Sequence, residues 1–435
     1  MDKNAILNIL TDWNFWGKQP DTGLERPLYA ERLKTLLLTG QIVAIIGPRR
    51  AGKSYIMRQF ARHLIENGTP PQNILIINLE DPRFENPDTA LLQNIYETYL
   101  QVHAPVGKPY ILLDEIHEVP NWEKWVAMMG ELSKANIILT GSNAKLLSRE
   151  LSTLLTGRHV TMNVWPLSFG ETLQFSGIKV DNEMELINNK IEVKRLLDAY
   201  FEYGAFPKVV LAKEKRDILL NYYDDIISKD LIRRFDIRKA SDLKSLARFY
   251  ISNTASPITY NSAEKFLNIS VATIEKFSSY LEEVYLFHFV KRFSPKVKEQ
   301  EKSPRKVYPV DPGLANIVGF SLSQNTGRIA EQIVFLELER RRSLSRELET
   351  FYWKNVQHKE VDFVIKEGNN VTSLIQVCWD ISMPETRKRE LSALTKGLAE
   401  FKLNEGTVIT GEYEGVEDVD GNTIKFIPLW KWLLS

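Results

Sequence analysis

The apolar run Ile42–Ile46 leads straight into Gly-Pro-Arg-Arg-Ala-Gly-Lys-Ser at 47–54, and a helix-like stretch, YIMRQFARHLIENG, follows. Few sequence features constrain a fold as tightly. A strand, a glycine-bounded loop and a helix in that order form one βα unit of an open parallel sheet. The glycines let the loop close with its N–H groups pointing inward. The helix start adds partial positive charge, so the concavity suits a phosphate. Residues Gly47, Pro48, Arg49, Arg50, Ala51, Gly52, Lys53 and Ser54 are therefore expected to bind nucleotide. Lys53 is expected to reach the β- and γ-phosphates and Ser54 to ligate Mg²⁺. ATP and Mg²⁺ are the implied cofactors. The competing reading is a chance match in a glycine-containing turn.

Three more apolar runs, Ile74–Ile77, Tyr110–Leu113 and Ile137–Leu139, alternate with amphipathic stretches, as crossover helices between parallel strands require. The third strand ends in Asp114-Glu115, which puts two carboxylates at the carboxyl edge where open α/β sheets bind ligands. Asp114 is expected to hold Mg²⁺, and Glu115 to orient and deprotonate an attacking water. An ordinary acidic turn is the alternative. The run IILTGSN ends in Ser142-Asn143, where Asn143 can help place that water or serve a simple Asx turn.

A chain of 435 residues exceeds one hydrophobic core, so two to four domains are expected. Basic and acidic residues balance at 56 each, so nucleic-acid contact requires a local patch. The single cysteine, Cys378, excludes an intrachain disulfide and a cysteine zinc site. The six histidines lack paired ligand spacing, which gives zinc no support. The N-terminal segment lacks a signal-peptide pattern, and no apolar run approaches the roughly 20 residues that span a bilayer. A cytoplasmic protein with no membrane contact is expected.

Four segments follow: 1–165, N-terminal helices and the ATPase core; 166–238, mainly helical; 239–295; and 296–435. Within the third, NSAEKFLN, a turn at Ile269-Ser270 and a second helix leading to a strand give the winged-helix order. That second helix carries Glu275, Lys276, Glu282 and Glu283, a poor phosphate-facing surface. The segment after it is better suited. Lys291, Arg292, Lys296, Lys298, Lys302, Arg305 and Lys306 stand against two glutamates, a local net of +5 in what reads as a linker or extended wing. DNA is one expected partner. A solvated linker beside a protein-packing module is the alternative.

The nucleotide-binding residues carry a resemblance. Residues 41–165 resemble the AAA+ ATPase core, with Asn143 in the sensor-1 place and Arg158, in LLTGRH, where an arginine finger often stands. PLSFGE, YGAFPKVV and SKDLIRRF resemble the helical lid of the archaeal and bacterial PH-, MJ- and SSO-type ATPases, near the STAND NTPases. The C-terminal segment resembles a PD-(D/E)XK nuclease fold, with Glu331 on a helix, Asp362 on a strand and Gln376 on the next. In active nucleases of that fold two acidic groups bind Mg²⁺ and a lysine assists the attacking water. Here Cys378 stands where the lysine belongs, and Lys359 or Lys388 would have to supply the charge. The resemblance implies an α/β chain: a P-loop AAA+-like parallel sheet with a helical lid, a winged-helix module and a restriction-endonuclease-like α/β domain. It implies an ATP-hydrolysing switch or motor acting on DNA, in a homo-oligomer if Arg158 serves a neighbour. A STAND-like signalling or defence switch that binds proteins, and an ATP-controlled nuclease, are the alternatives.

Overall fold

The computed structural model describes residues 1–141, 158–180, 182–319, 326–344 and 348–435, with the side chain of residue 183 excluded. The chain divides into two compact units, Met1–Trp165 and Pro166–Ser435.

The first unit is built on β1 (Ile42–Ile46), β2 (Ile74–Asn78), β3 (Tyr110–Asp114), β4 (Asn136–Gly141) and β5 (His159–Asn163). All pairings are parallel, in the order β2-β3-β4-β1-β5. Alternate residues of each strand face opposite ways. Ile42, Ala44, Ile46, Leu75, Ile77, Ile111 and Leu113 join one core. Val43, Ile45, Ile74, Ile76, Leu112 and Ile138 join the other. Helices α1 (Lys3–Trp13), α2 (Pro27–Leu37), α3 (Lys53–Glu66), α4 (Thr89–His103) and α5 (Trp122–Glu131) cover the sheet. Residues from α1, α4 and α5 close the first core, and residues from α2 and α3 the second. The sequence expectation of helix throughout 1–40 holds in two pieces. Pro27 starts α2 at its first position, where a missing N–H costs nothing. Trp122 and Trp125 are both buried in the first core, which is packing.

The second unit begins with α6 (Phe169–Phe175), α7 (Glu183–Asn188), α8 (Lys190–Tyr203), α9 (Pro207–Leu211) and α10 (Lys215–Asp225). A π-helical stretch, Ile226–Arg233, continues from α10. The PLSFGE motif is a capping box: Ser168 Oγ accepts from Glu171 N at 3.1 Å, and Ser168 N donates to Glu171 Oε2 at 2.8 Å. The YGAFPKVV motif has an equally local cause. Gly204 has φ +69°, and a Cβ there would meet Asp311 Oδ1 at 1.9 Å, so only glycine fits.

Next come α11 (Ala240–Ser252), β6 (Pro257–Ile258), α12 (Tyr260–Leu267), α13 (Val271–Glu283), β7 (Phe287–Val290), α14 (Val297–Lys302) and β8 (Arg305–Pro309). The strands form an antiparallel sheet in the order β6-β8-β7. The segment that reads as a linker or wing thus holds a short helix and the central strand of this sheet. After α15 (Pro312–Val318), helix α16 (Thr326–Leu344) opens a second α/β arrangement. It comprises β9 (Leu348–Lys354), β10 (Glu360–Glu367), β11 (Asn370–Cys378), α17 (Pro384–Phe401), β12 (Glu405–Thr410), β13 (Gly415–Val419), β14 (Asn422–Pro428) and α18 (Leu429–Trp432). Its six strands run in the order β13-β14-β12-β11-β10-β9. The β9-β10-β11 meander is antiparallel, and β11-β12-β14 is parallel. Among the described residues, no helix is long and apolar enough to cross a membrane.

Candidate nucleotide site

The loop at 47–54 leaves the carboxyl end of β1 and enters α3. Gly47 has φ +149°, and a Cβ on it would lie 2.0 Å from Val164 O. Both the backbone angle and the neighbouring chain therefore demand glycine. Arg26 braces the loop from the other side. Its buried guanidinium donates to Ala51 O at 2.9 Å and to Trp165 O at 3.1 Å, and lies 4.5 Å from the Tyr29 ring centre. Nothing in the sequence around Arg26 flags this role, because its partners are 25 and 139 residues away. Arg49 pairs with Glu80 at 2.9 Å, and Arg50 takes φ +68°.

Lys53 is 4% exposed, and its Nζ donates to Gly47 O and Pro48 O, each at 3.1 Å. The same ammonium lies 3.9 Å from Glu115 Oε1. Ser54 Oγ donates to Asp114 Oδ1 at 3.0 Å. One edge of the sheet thus brings together the loop lysine, its serine and both carboxylates, although 60 residues separate Ser54 from Asp114.

Thr140, at the end of β4, completes the cluster. Because β4 lies between β1 and β3, its side chain reaches both partners. Oγ1 donates to Asp114 Oδ1 at 2.6 Å and accepts from Glu115 N at 2.9 Å. Sequence reading passed over Thr140 for the polar residues just beyond it. A threonine closing an otherwise apolar strand was the available signal. Asn143 lies outside the described residues.

Burial pushes the Asp114 carboxyl up to about 6, and the neighbouring Glu115 charge pushes the same way. The hydrogen bonds from Thr140 and Ser54 and the Lys53 charge oppose the rise. A buried carboxylate beside a second carboxylate and a serine hydroxyl is a hard-oxygen donor set under net negative strain. That set fits a Mg²⁺ ion. Glu115 takes φ +51°, so the backbone turns sharply and separates the two carboxylates by direction. His117 Nδ1 lies 3.2 Å from Glu115 Oε2.

Arg158 is placed elsewhere. Its carbonyl accepts from Ile42 N at 3.1 Å, at the amino edge of the sheet, and its half-exposed side chain lies 3.6 Å from Glu131. A five-residue strand, about 13 Å, separates that edge from the loop. Arg158 therefore does not share the site of its own chain.

The basic cluster expected to meet DNA is partly engaged in ion pairs within the segment. Lys291 and Arg305 both pair with Glu301, and Lys296 pairs with Glu299 at 3.0 Å. Arg292 donates to Lys354 O. Lys306 is 1% exposed, which removes it from any DNA-facing surface. The physical reason is the face it takes: on β8 successive side chains point opposite ways, and that of Lys306 points at Glu331, Glu360 and Asp362 while its neighbour Arg305 stays partly exposed. Lys298 and Lys302 are exposed and outside these pairs.

Lys306 instead meets the carboxylates of the nuclease-like pattern. Its Nζ lies 2.8 Å from Glu331 Oε1, 2.9 Å from Asp362 Oδ1 and 2.9 Å from Glu360 Oε1. Burial depresses its basicity, but the surrounding carboxylates override that and hold it well above the usual lysine range. Burial, with the Asp362 charge, pushes Glu331 up to about 7. The cation that the sequence sought at Lys359 or Lys388 thus comes from another strand altogether. Lys388 is exposed, and Cys378 is a core residue beside Val364 and Leu394.

A family profile described as "AAA domain" matches residues 39–173. Two domains of unknown function match residues 194–325 (DUF8612) and 326–432 (DUF4143). The uncharacterized protein MJ1544 of Methanocaldococcus jannaschii is 34% identical over 414 residues, covering 92% of this chain and 89% of its own length. An uncharacterized protein of Haemophilus influenzae is 32% identical over 422 residues, covering 95% of this chain and 99% of its own. The Walker-type ATPase PABY2304 of Pyrococcus abyssi superposes with a TM-score of 0.47 at 12% identity, covering 70% of this chain and 99% of that one.

Proposed function

We propose that this chain, which belongs to the family of MJ1544 and carries an AAA domain over residues 39–173, is an ATP-hydrolysing switch driven from the site at the carboxyl edge of its parallel sheet. The observation that carries the reading is the convergence of Lys53, Ser54, Asp114 and Glu115, with Thr140 holding the Asp114 carboxylate and the Glu115 backbone N–H. Lys53 exchanges its loop carbonyls for phosphate oxygens. Ser54 and Asp114 would hold Mg²⁺. A bound Mg²⁺ supplies charge neutralisation at the phosphates. Glu115 takes the proton of the attacking water. Asn143 is proposed to orient the same water, and Arg158 to serve the nucleotide of a neighbouring copy.

Residues 166–238 are proposed as the helical lid. Residues 239–295 follow the helix-strand-helix-helix-strand order of a winged helix, with β8 closing the sheet, and this order is what favours DNA as the partner. The ion pairs of the basic segment favour the signalling reading, in which the same module meets a protein. The test of the ATPase reading is nucleotide binding and turnover of the parent and Lys53→Ala, with and without double- and single-stranded DNA. Loss of most ATP affinity in the variant is expected. Equal affinity by calorimetry would move the nucleotide elsewhere, and DNA-stimulated turnover would select the DNA partner.

A further inference from the structure

The carboxylates that the sequence suggested as metal ligands are already engaged by an ammonium. An ammonium carries three N–H donors and no acceptor. Lys306 directs its Nζ at Glu331, Glu360 and Asp362, one donor for each carboxylate, all within 2.9 Å. Tyr308 Oη donates to the same Glu331 oxygen at 2.6 Å. The second Asp362 oxygen accepts from Val377 N at 2.9 Å. Gln376, the expected oxygen ligand, turns its Oε1 to Asp362 N at 3.2 Å and its Nε2 to Glu390 Oε2 at 2.7 Å. Its orientation follows from those partners, since a backbone N–H requires an acceptor and a carboxylate a donor. A hard divalent cation needs several oxygen lone pairs converging at about 2.0–2.6 Å. Here those lone pairs converge on nitrogen. Among the described residues, no group of three or more His, Cys, Asp or Glu side chains is arranged to hold a metal ion. The donor set does not fit Mg²⁺.

We propose that Lys306 is the resident cation of this cluster, filling the place where an active nuclease of this fold holds its metal, and that the cluster is an ion-pair latch rather than a phosphodiester-cleaving centre. The lysine and its carboxylates come from different elements. Lys306 belongs to β8 of the three-stranded sheet, Glu331 to α16, and Glu360 and Asp362 to β10 of the six-stranded sheet. The latch therefore ties the sheet of the middle segment into the C-terminal domain. Withdrawing β8 leaves three carboxylates facing one another in a buried place, a strongly unfavourable state. Beside them lies a cavity of about 360 Å³, whose lining includes Arg328, Lys359, Arg389 and Glu390. The C-terminal domain in this reading binds and transmits without cutting, and the inference is independent of the ATP reading.

Mn²⁺ titration of the full chain tests it. Nucleotide is omitted, and the P-loop metal position is silenced by Ser54→Ala with Asp114→Asn. This background chain should show no Mn²⁺ binding that Asp362→Asn alters, and no Mn²⁺-dependent nicking of plasmid DNA. Adding Lys306→Ala should tighten Mn²⁺ binding roughly tenfold or more, because a unit positive charge about 3 Å from the carboxylates is removed. Asp362→Asn should abolish that gain. Two results overturn the proposal: Asp362-dependent Mn²⁺ binding or nicking while Lys306 is present, or a folded Lys306→Ala chain that gains no Mn²⁺ affinity. If Lys306→Ala does not fold, the background chain with and without Asp362→Asn still decides the matter.

Discussion

Replacing Thr140 by valine keeps the volume of a fully buried side chain and removes one hydroxyl. That hydroxyl donates to Asp114 Oδ1 at 2.6 Å and accepts from Glu115 N at 2.9 Å. A hydrogen bond to a charged group contributes about 1.5–3 kcal/mol. One pKa unit corresponds to about 1.4 kcal/mol, so losing the bond should raise the Asp114 carboxyl by roughly one to two units. The starting value is about 6, already lifted by burial. The variant's Asp114 carboxyl should therefore titrate higher still than the parent's. Cation binding requires the ionised form, so binding improves as pH rises through the carboxyl's pKa and weakens below it. At about pH 7 the variant should bind Mg·ATP roughly 2- to 10-fold more weakly, and at about pH 9 nearly as well as the parent. The assay is Mg·ATP titration across about pH 5 to 9, with Asp114→Asn correcting for protonation of the nucleotide. Thr140→Ser should restore the parent profile. An unmoved midpoint, or a loss equal at every pH, would refute the assignment of Thr140 as the group that keeps Asp114 ionised.

Three further outcomes are expected. Glu115→Gln should bind ATP normally and slow single-turnover hydrolysis by about 10²–10⁴-fold, read by rapid quench, because shape is kept and the base is lost. Arg158→Ala should lower turnover only under conditions where the chain assembles, since its side chain sits at the opposite sheet edge from its own loop; an Arg158-dependent rate in a strict monomer by light scattering contradicts this. If the segment proposed as a winged helix binds duplex DNA, the log–log salt slope should be about −2, from Lys298 and Lys302 alone, rather than the −3 to −4 or so that more phosphate contacts would produce. Lys298→Glu with Lys302→Glu should flatten it, and anisotropy at several salt concentrations gives the slope directly. A steep slope that survives both changes places the contact elsewhere.

The sequence by itself determined what is local. A strand, a glycine-bounded loop and a helix are contiguous in the chain, so Gly47–Ser54 were readable as a phosphate cradle. The apolar run Ile42–Ile46 was legible as a strand; that its alternate residues join two separate cores is what the structure adds. The Asp114-Glu115 pair was legible because two carboxylates directly follow an apolar strand, at the edge where open sheets bind ligands. Contacts between distant residues were not legible. Thr140 meets Asp114 only because β4 inserts between β1 and β3, a matter of strand order that no spacing encodes. The basic run around Lys296 looked like a uniform patch because sequence counts charge without geometry. Folding then turned Lys306 on β8 toward the C-terminal carboxylates, and Glu299 and Glu301 paired with Lys291, Lys296 and Arg305. The same folding step carried Lys306 to Glu331, Glu360 and Asp362, up to 56 residues along the chain. A charge beside opposite charge in a dry interior is held far more strongly than one in water, so the destination, rather than the composition, set what that lysine can do.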